Sequence, residues 1–238
     1  MNRLIKIELK SIFSKFDIKA TLLLFTFFGI MMGVINKVNN YLSCEGIFEW
    51  SLILTLLISA LGGLYISRDY TQNTIRNKII VGHTRFSIYL SKQIAVSLMY
   101  LSCVGLFMIN SIVSNFIFVG SDGLNKEALL IGILVSIFVI ISLSVITTFI
   151  SMSINKEVGG LMPLLIMFVM MVFSAIGIEF INREIMNIIN DILPTSQMML
   201  LNLENVDPYP LRHILYSLLV SFIFFFSGYI IFDNRNLD

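Results

Sequence analysis

Residues 68–92 read RDYTQNTIRNKIIVGHTRFSIYLSK and separate two long apolar segments. This stretch carries five basic side chains and a single acidic one. Loops on the cytoplasmic side of membrane proteins carry such an excess of Lys and Arg. We therefore expect the stretch to face the cytoplasm. Its basic residues are Arg68, Arg76, Lys78, Arg85 and Lys92, and its acidic residue is Asp69.

Two helical pieces are predicted within this loop, which we delimit as residues 67–93. The first runs from Asn73 to Val81, where Asn73 or Thr71 can cap the start and Gly82 can end the helix in the left-handed conformation. Thr84 can cap the second piece, which continues into the next apolar segment. On composition alone, the short helix could lie on lipid headgroups through its cations. Its apolar side consists of Ile75, Ile79 and Ile80.

The whole chain is too apolar for an ordinary soluble domain, since 57% of its 238 residues are hydrophobic and 13% are charged. Six continuous apolar stretches reach the roughly 17 to 25 residues that a membrane-spanning helix needs. They lack the period-two alternation of barrel strands. We therefore predict an all-α integral membrane protein, a single domain over residues 1–238. The stretches are Ile18–Ile35, Trp50–Ile66, Ile94–Val119, Ala128–Ile154, Leu161–Ile181 and Ile214–Phe232.

The distribution of cations predicts the orientation of these six spans. An even number of spans leaves both termini on one side, and that side receives 12 of the 16 Lys and Arg residues. Residues 1–19 and 68–92 supply five each, and Lys156 and Arg235 complete the set. Because cytoplasmic loops are the basic ones, both termini are predicted to be cytoplasmic. The other side holds Lys37, Lys126, Arg183 and Arg212.

Residues 1–17 are predicted to form an amphipathic helix at the inner membrane interface that leads into the first span. No small-x-small cleavage site follows the first apolar stretch, so we interpret it as an anchor rather than a signal peptide. One side of this helix is apolar and the other is mostly charged. The apolar residues are Ile5, Leu9, Ile12, Phe13 and Phe16, and the charged ones are Arg3, Lys6, Lys10 and Asp17.

Small and hydroxyl residues within the spans leave two questions open. Gly29 and Gly33 have the GxxxG spacing that lets helices approach closely, either within the chain or between two subunits. A string of hydroxyl residues in the fourth span either bonds to backbone and neighbouring helices or lines a substrate path. These are Ser142, Ser144, Thr147, Thr148, Ser151 and Ser153.

Residues 182–212 are predicted to lie outside the membrane on the extracytoplasmic side. Pro194, Pro208 and Pro210 interrupt this segment. Thr195 or Ser196 can cap a short helix from Met198 to Leu203.

The central loop resembles the first cytoplasmic loop of ABC-2 type permeases, the membrane subunits of bacterial ABC transporters. The resemblance rests on an acidic residue, a small residue with Thr, a basic residue, then Gly, Thr-Arg and a later Lys. Asp69 stands where Glu is commoner in the family, and Asn73 stands where Gly is commoner. The matching residues are Asp69, Asn73, Thr74, Arg76, Gly82, Thr84, Arg85, Tyr89, Ser91 and Lys92.

This resemblance implies a coupling helix between spans two and three that docks on a separate ATP-binding subunit. It also implies a dimer of six-span halves, identical or homologous, beneath two ATP-binding subunits that hold ATP and Mg. Small extracytoplasmic or re-entrant helices would follow the fifth span. The residues expected to couple to the ATPase are Asp69, Asn73, Thr74, Ile75, Arg76, Lys78, Ile79, Gly82, Thr84 and Arg85.

The sequence predicts no enzyme activity for this chain and no bound cofactor or metal. It lacks the GxxxxGK[ST] phosphate-binding loop, so an ATPase would have to be a separate partner. The middles of the spans lack ionisable residues, which disfavours an ion-coupled carrier. We expect an export permease without a nucleic-acid partner. The alternative is a multi-pass immunity or sensor protein whose loop binds another cytoplasmic partner without transport.

Overall fold

A computed structural model describes residues 2–39, 44, 46–120, 125–154, 157–180, 183–201 and 210–235. Within these ranges the chain is helical and has no strand, so the all-α prediction is confirmed. A single 3-10 turn, Glu157–Gly160, precedes the seventh helix. The helices are α1 (Asn2–Ser14), α2 (Phe16–Asn39), α3 (Ile47–Thr71), α4 (Thr74–Ile80), α5 (Arg85–Phe118), α6 (Lys126–Ser153), α7 (Met162–Phe180), α8 (Arg183–Ile192), α9 (Pro194–Leu200) and α10 (Pro210–Asp233).

Five helices, α2, α3, α5, α6 and α10, are long and apolar enough to cross a membrane. They correspond to five of the six predicted spans, so the chain has the character of a multi-pass membrane protein. The remaining predicted span corresponds to α7, of which the described apolar stretch Met162–Ile176 is shorter than the five. At 1.5 Å per residue, the 19 residues of α7 extend about 28 Å, close to the ~30 Å hydrocarbon thickness. Six spans therefore remain a prediction.

The helices run between two ends of one bundle. The first end holds α1, α4, the end of α3, the beginning of α5 and the end of α10, which contacts α5. At the second end, α8 and α9 lie beside the beginning of α10. The 3-10 turn before α7 lies next to Leu64 and Ser67 of α3, near the first end, and Ser174 within α7 contacts α9.

Helix α2 packs closely on α5 through Gly29 and Gly33. A Cβ atom at Gly29 would lie 2.7 Å from the carbonyl oxygen of Phe107, and one at Gly33 would lie 2.5 Å from the carbonyl carbon of Ser114. The hydroxyl of Ser114 donates a 2.9 Å hydrogen bond to the carbonyl of Gly29. Two roles were predicted for this GxxxG pair, and in the structure it packs one helix of the chain against another.

The hydroxyl string of α6 is satisfied largely by backbone. Ser144 donates to the carbonyl of Ile141 at 2.7 Å, Thr148 to that of Ser144 at 3.0 Å, and Ser151 to that of Thr147 at 2.8 Å. Ser144 also exchanges a 2.7 Å hydrogen bond with Ser97 of α5. Because Ser144, Thr148 and Ser151 are buried and bonded, mainly to the backbone of their own helix, these three side chains have the predicted hydrogen-bonding role.

Helices α8 and α9 lie in the segment predicted as extracytoplasmic. The predicted cap at Thr195 or Ser196 is wrong, because α9 begins at Pro194 after the N-cap residue Leu193. Proline suits the first helical position, since its missing N–H would have no partner there. The predicted helix end at Leu203, the rest of residues 202–209 and Lys156, which was counted among the cytoplasmic cations, lie outside the described residues.

Candidate functional site: a charged cluster beneath the bundle

The short helix α4 is delimited by two left-handed residues. Asn73, with φ of 53°, ends α3 and precedes Thr74; its side chain makes no capping hydrogen bond. The predicted ending at Gly82 is confirmed, with φ of 98°. Backbone bonds from Gly82 to Ile79 and from His83 to Lys78 complete a Schellman motif. Asparagine tolerates the left-handed conformation better than most residues, which suits it to this position.

The beginning of α5 is also as predicted. Thr84 is its N-cap residue, and the hydroxyl of Thr84 accepts a 3.3 Å hydrogen bond from the backbone N–H of Ser87. A side-chain acceptor at this position satisfies one of the free N–H groups at a helix start. Helix α5 then continues without interruption to Phe118, so α4 is connected to a long spanning helix by a tight turn.

Four charged side chains from four helices meet above this turn. We call Glu8 of α1, Asp69 of α3, Lys78 of α4 and Lys92 of α5 the charged cluster. The ammonium of Lys78 lies 2.5 Å from Glu8 Oε1 and 3.1 Å from Asp69 Oδ2. The ammonium of Lys92 lies 2.6 Å from Glu8 Oε2 and 2.5 Å from Asp69 Oδ2. Each lysine thus bridges both carboxylates, and the cluster is neutral overall.

The charged cluster is shielded from solvent. The side chain of Lys92 is 0% exposed and that of Glu8 is 2% exposed. The hydroxyl of Tyr65, on α3, donates to Glu8 Oε2. The Lys92 ammonium also lies 3.9 Å from the centroid of the Tyr65 ring, a cation-π distance. Buried charges are tolerated when they are paired and hydrogen-bonded in this way.

Pairing shifts the pKa of Glu8 and of Lys78, the two members of the charged cluster that lie outside the spanning helices. Burial acts to raise the pKa of Glu8, but the charge of Lys92 and hydrogen bonds from Lys78, Lys92 and Tyr65 lower it to about 2. Burial acts to lower the pKa of Lys78, but hydrogen bonds and charges from Glu8 and Asp69 raise it above its ordinary value. Both groups are therefore charged at neutral pH.

A second polar contact joins the beginning of α5 to the end of α10. Arg85 Nη1 donates to the backbone carbonyls of Phe232 at 3.2 Å, Asp233 at 2.5 Å and Arg235 at 2.7 Å. A cation at the C-terminal end of a helix satisfies free carbonyls and interacts favourably with the helix dipole. Arg235 in turn donates to the carbonyl of Met152, at the end of α6, at 2.6 Å.

The residues predicted to couple to an ATPase do not form one exposed surface. Five of the ten are engaged within the chain, whereas Asn73, Arg76, Gly82 and Thr84 are exposed and Thr74 is half-buried. Ile75 is 1% exposed, Ile79 packs against the core, and Lys78, Asp69 and Arg85 are held by the contacts within the chain described above. The free face of α4 consists of Arg76, which was predicted to couple, and three side chains that were not. The four side chains are Arg76 and Asn77, which are exposed, together with Ile80, which is 73% exposed, and Val81, which is 78% exposed.

Glu8 is the functional candidate that the sequence reasoning missed. In helix α1 it is buried between Leu4 and Ile12, one turn away on each side. The predicted charged side of this helix is exposed at Arg3, Lys6 and Lys10. The available signal was an acidic residue with an apolar residue four positions away on each side, which places all three on one helix face. An acid on an apolar face needs a cationic partner when that face is buried.

The charged cluster is suited to holding helices in place rather than to catalysis. Among the described residues, no group of three or more His, Cys, Asp or Glu side chains could hold a metal ion. Both carboxylates are fully engaged by lysines, which leaves neither free as a general base. Comparisons with protein-family models, with curated proteins and with solved structures find no match.

Proposed function

We propose that this chain is the permease subunit of a bacterial ABC transporter, an exporter, in which α4 is the helix that couples to a separate ATP-binding subunit. The observation that carries the proposal is the free face of α4. Arg76, Asn77, Ile80 and Val81 are exposed at the end of a helix that the charged cluster fixes beneath a bundle of apolar helices. A small apolar patch with one adjacent cation suits an interface in which a few residues dominate.

The placement of the two ends of the described chain supports this proposal. The contacts between α1 and α4 and between α5 and α10 bring both termini of the described chain to the same end of the bundle. An even number of spans follows if α7 also crosses, and the basic loops then face the cytoplasm. Under this arrangement, the protein has six spans in the cell membrane and cytoplasmic termini, and α8 and α9 lie at the outer side. Two such halves would form the transporter.

The test is purification of the intact complex from native membranes, followed by measurement of ATP turnover. Ile80→Asp introduces a charge into the free face without touching the charged cluster, so it should abolish copurification of the ATP-binding subunit and the ATP turnover. Lys10→Glu is the matched control, because Lys10 is exposed on α1 at the same end. This control should change neither quantity.

Two outcomes would contradict the proposal. Unchanged copurification of the ATP-binding subunit with the Ile80→Asp variant would mean that α4 does not dock through this face. A partner that binds the α4 face but hydrolyses no ATP would favour the immunity or sensor function, since that function uses the same surface without transport.

A further inference from the structure

Helix α4 is too short to hold its own position. It has seven residues, and isolated helices below about 12 to 15 residues are marginal in water. Its contacts with the bundle are the buried Ile75, the partly buried Ile79 and the ammonium of Lys78. The tight turns at Asn73 and Gly82 connect it to the neighbouring helices. The ionic contacts of Lys78 are therefore the specific polar tie between α4 and its surroundings.

Glu8 divides its two oxygens between two different helices. Oε1 accepts from Lys78 of α4 at 2.5 Å, whereas Oε2 accepts from Lys92 of α5 at 2.6 Å. Asp69 accepts from the same two lysines, but it lies on α3, only nine residues before Lys78. Asp69 thus ties α4 to the helix that leads into it. Glu8 ties α4 to a segment 70 residues away along the chain.

The buried charges contribute more to fixing the position of α4 than to the stability of the fold. A buried ion pair is often no more stabilising than apolar residues of the same volume, because desolvation offsets much of the attraction. Its geometry is nevertheless specific, since an ammonium with two carboxylate partners has a defined location. Breaking one member leaves an unpaired buried charge, which is strongly unfavourable.

From these contacts we propose that Glu8 is the positioning residue of α4, so that α1 and α4 move as one unit. This inference rests on the proposed function only for its consequence: a force that a partner applies to α4 would reach α1 directly, in addition to α5. The competing account is that Ile75 and the two tight turns hold α4 alone, and that Glu8 only neutralises Lys92.

Two charge-balanced double variants separate these accounts. Glu8→Gln with Lys92→Met leaves one pair, Asp69 with Lys78, and removes the tie to α1. Asp69→Asn with Lys92→Met also leaves one pair, Glu8 with Lys78, and keeps the tie. Both variants bury the same number of charges and both lose Lys92, so they differ only in which helix supplies the carboxylate for α4.

The measurement is the distance between α1 and α4 in the full chain reconstituted in lipid nanodiscs. Spin labels at Ile7→Cys and Asn77→Cys, both exposed positions, report it by pulsed electron paramagnetic resonance after Cys44 and Cys103 are replaced by Ser. We expect a broadened and shifted distance distribution for the variant without Glu8, and one like the parent's for the variant without Asp69. Equal distributions in the two variants, whether both narrow or both broad, would overturn the inference.

A conservative variant keeps the inference falsifiable if the double variant without Glu8 fails to fold. Glu8→Asp retains the charge but shortens the side chain by one methylene, so its carboxylate cannot reach both lysines with the same geometry. The inference predicts a shifted distribution for this variant too, and an unchanged one would overturn it. Because no ATP-binding subunit is present in these experiments, their failure is distinguishable from failure of the proposed function.

Discussion

At the charged end of the bundle, four buried acidic and basic side chains tie helices together, whereas the buried contacts at the opposite end join uncharged side chains. An Arg212–Asp191 pair also links α10 to α8 at the opposite end, but its side chains are 44% and 20% exposed. There, Ser174 of α7 bonds with Ser196 of α9 at 2.6 Å, and Ser217 of α10 donates to Gln197 of α9 at 2.6 Å. We call these four residues the neutral cluster. Ser196 and Gln197 are as deeply buried as Glu8, at 2% and 1% exposure. Both ends therefore bury polar side chains between helices, but the interactions that join these side chains differ in chemistry.

The difference concerns what happens when one member is lost. A buried charge cannot be left without its partner, so the charged cluster fails as a whole. A buried hydroxyl can turn to a carbonyl of its own helix, as Ser174 already does with Met170 at 2.8 Å. The charged end is thus expected to be fixed in one arrangement. At the other end, α9 should be able to change its contacts at a smaller cost in free energy.

The largest expected effect is that of Asp69→Asn. It leaves Lys78 and Lys92 with only Glu8, so one buried cation lacks a counter-charge. We expect a loss of about 3 to 5 kcal/mol in the free energy of unfolding, measured by thermal or denaturant unfolding in detergent. Asp17→Asn is the control, because the Asp17–Arg68 pair is 47% exposed on both sides and should contribute little. A similar loss in both variants would remove the distinction between buried and exposed pairs.

The second largest effect is expected at acidic pH, which should lower the contribution of the charged cluster to the free energy of unfolding. The pKa of Glu8 is lowered to about 2, so its contribution to stability is fully present above its ordinary value of 4.5 and is lost as the pH falls toward 2. Tyr65, Lys78 and Lys92 contact Glu8, and Asp69 lies beyond the two lysines. The ammonium of Lys15 lies 4.7 Å from the centroid of the Tyr65 ring and also interacts with Glu8. From the size of the shift, the contribution is on the order of 3 kcal/mol.

This pH dependence is measured as the unfolding free energy between pH 5 and pH 2 relative to a Glu8→Gln variant. The parent should lose stability more steeply than the variant across this window. The neutral cluster contains no titratable group, so a Gln197→Met variant should follow the slope of the parent. Parallel curves for the parent and Glu8→Gln would show that Glu8 does not carry the acid sensitivity.

A smaller effect is expected for Arg85→Ala. The substitution removes a charged donor from three carbonyls at the end of α10, but water can replace part of this contact because the site is only partly buried. We expect a loss of about 1 to 2 kcal/mol, together with faster hydrogen exchange over residues 228–235. Arg76→Ala is the control for the loss of an arginine at the same end, and it should leave the exchange of this segment unchanged.

The smallest effect is expected at the neutral cluster, with Gln197→Met. It removes hydrogen bonds to Ser217 and to the carbonyl of Asp191. Since side-chain hydrogen bonds between helices in membranes average about 0.6 kcal/mol, the unfolding free energy should fall by about that amount. A loss as large as that of Asp69→Asn would mean that the neutral cluster stabilises its end of the bundle as strongly as the charged cluster stabilises the other.

Local chemistry predicted the helices and several of their ends. The turn at Gly82 and the cap at Thr84 depend on residues within one or two turns, and both are as predicted. The start of α9 was not, because Pro194 determines it and the caps at Thr195 and Ser196 competed with it in the sequence. Signals that act over a few residues are therefore the reliable ones in this chain.

Partners that are distant along the chain could not be predicted from the sequence. The basic residues of the central loop indicated a cytoplasmic loop, but periodicity does not say which acid a lysine meets. The partners of Lys78 and Lys92 include Glu8, and Arg85 binds carbonyls about 147 residues away. Ile75 and Ile79 belong to the apolar side of α4, yet only the packed structure shows that this side faces inward while Ile80 faces outward.

The contact of Arg85 with α10 has a consequence for sequence change. Its acceptors are three backbone carbonyls, so it does not depend on which side chains occupy positions 232, 233 and 235. Point substitutions in this segment can accumulate without loss of the contact, provided that the helix ends at the same place. An inserted or deleted residue in α10 would rotate the last carbonyls by about 100° away from Arg85. For the Arg85 contact, the length of this segment should therefore matter more than the identity of its side chains.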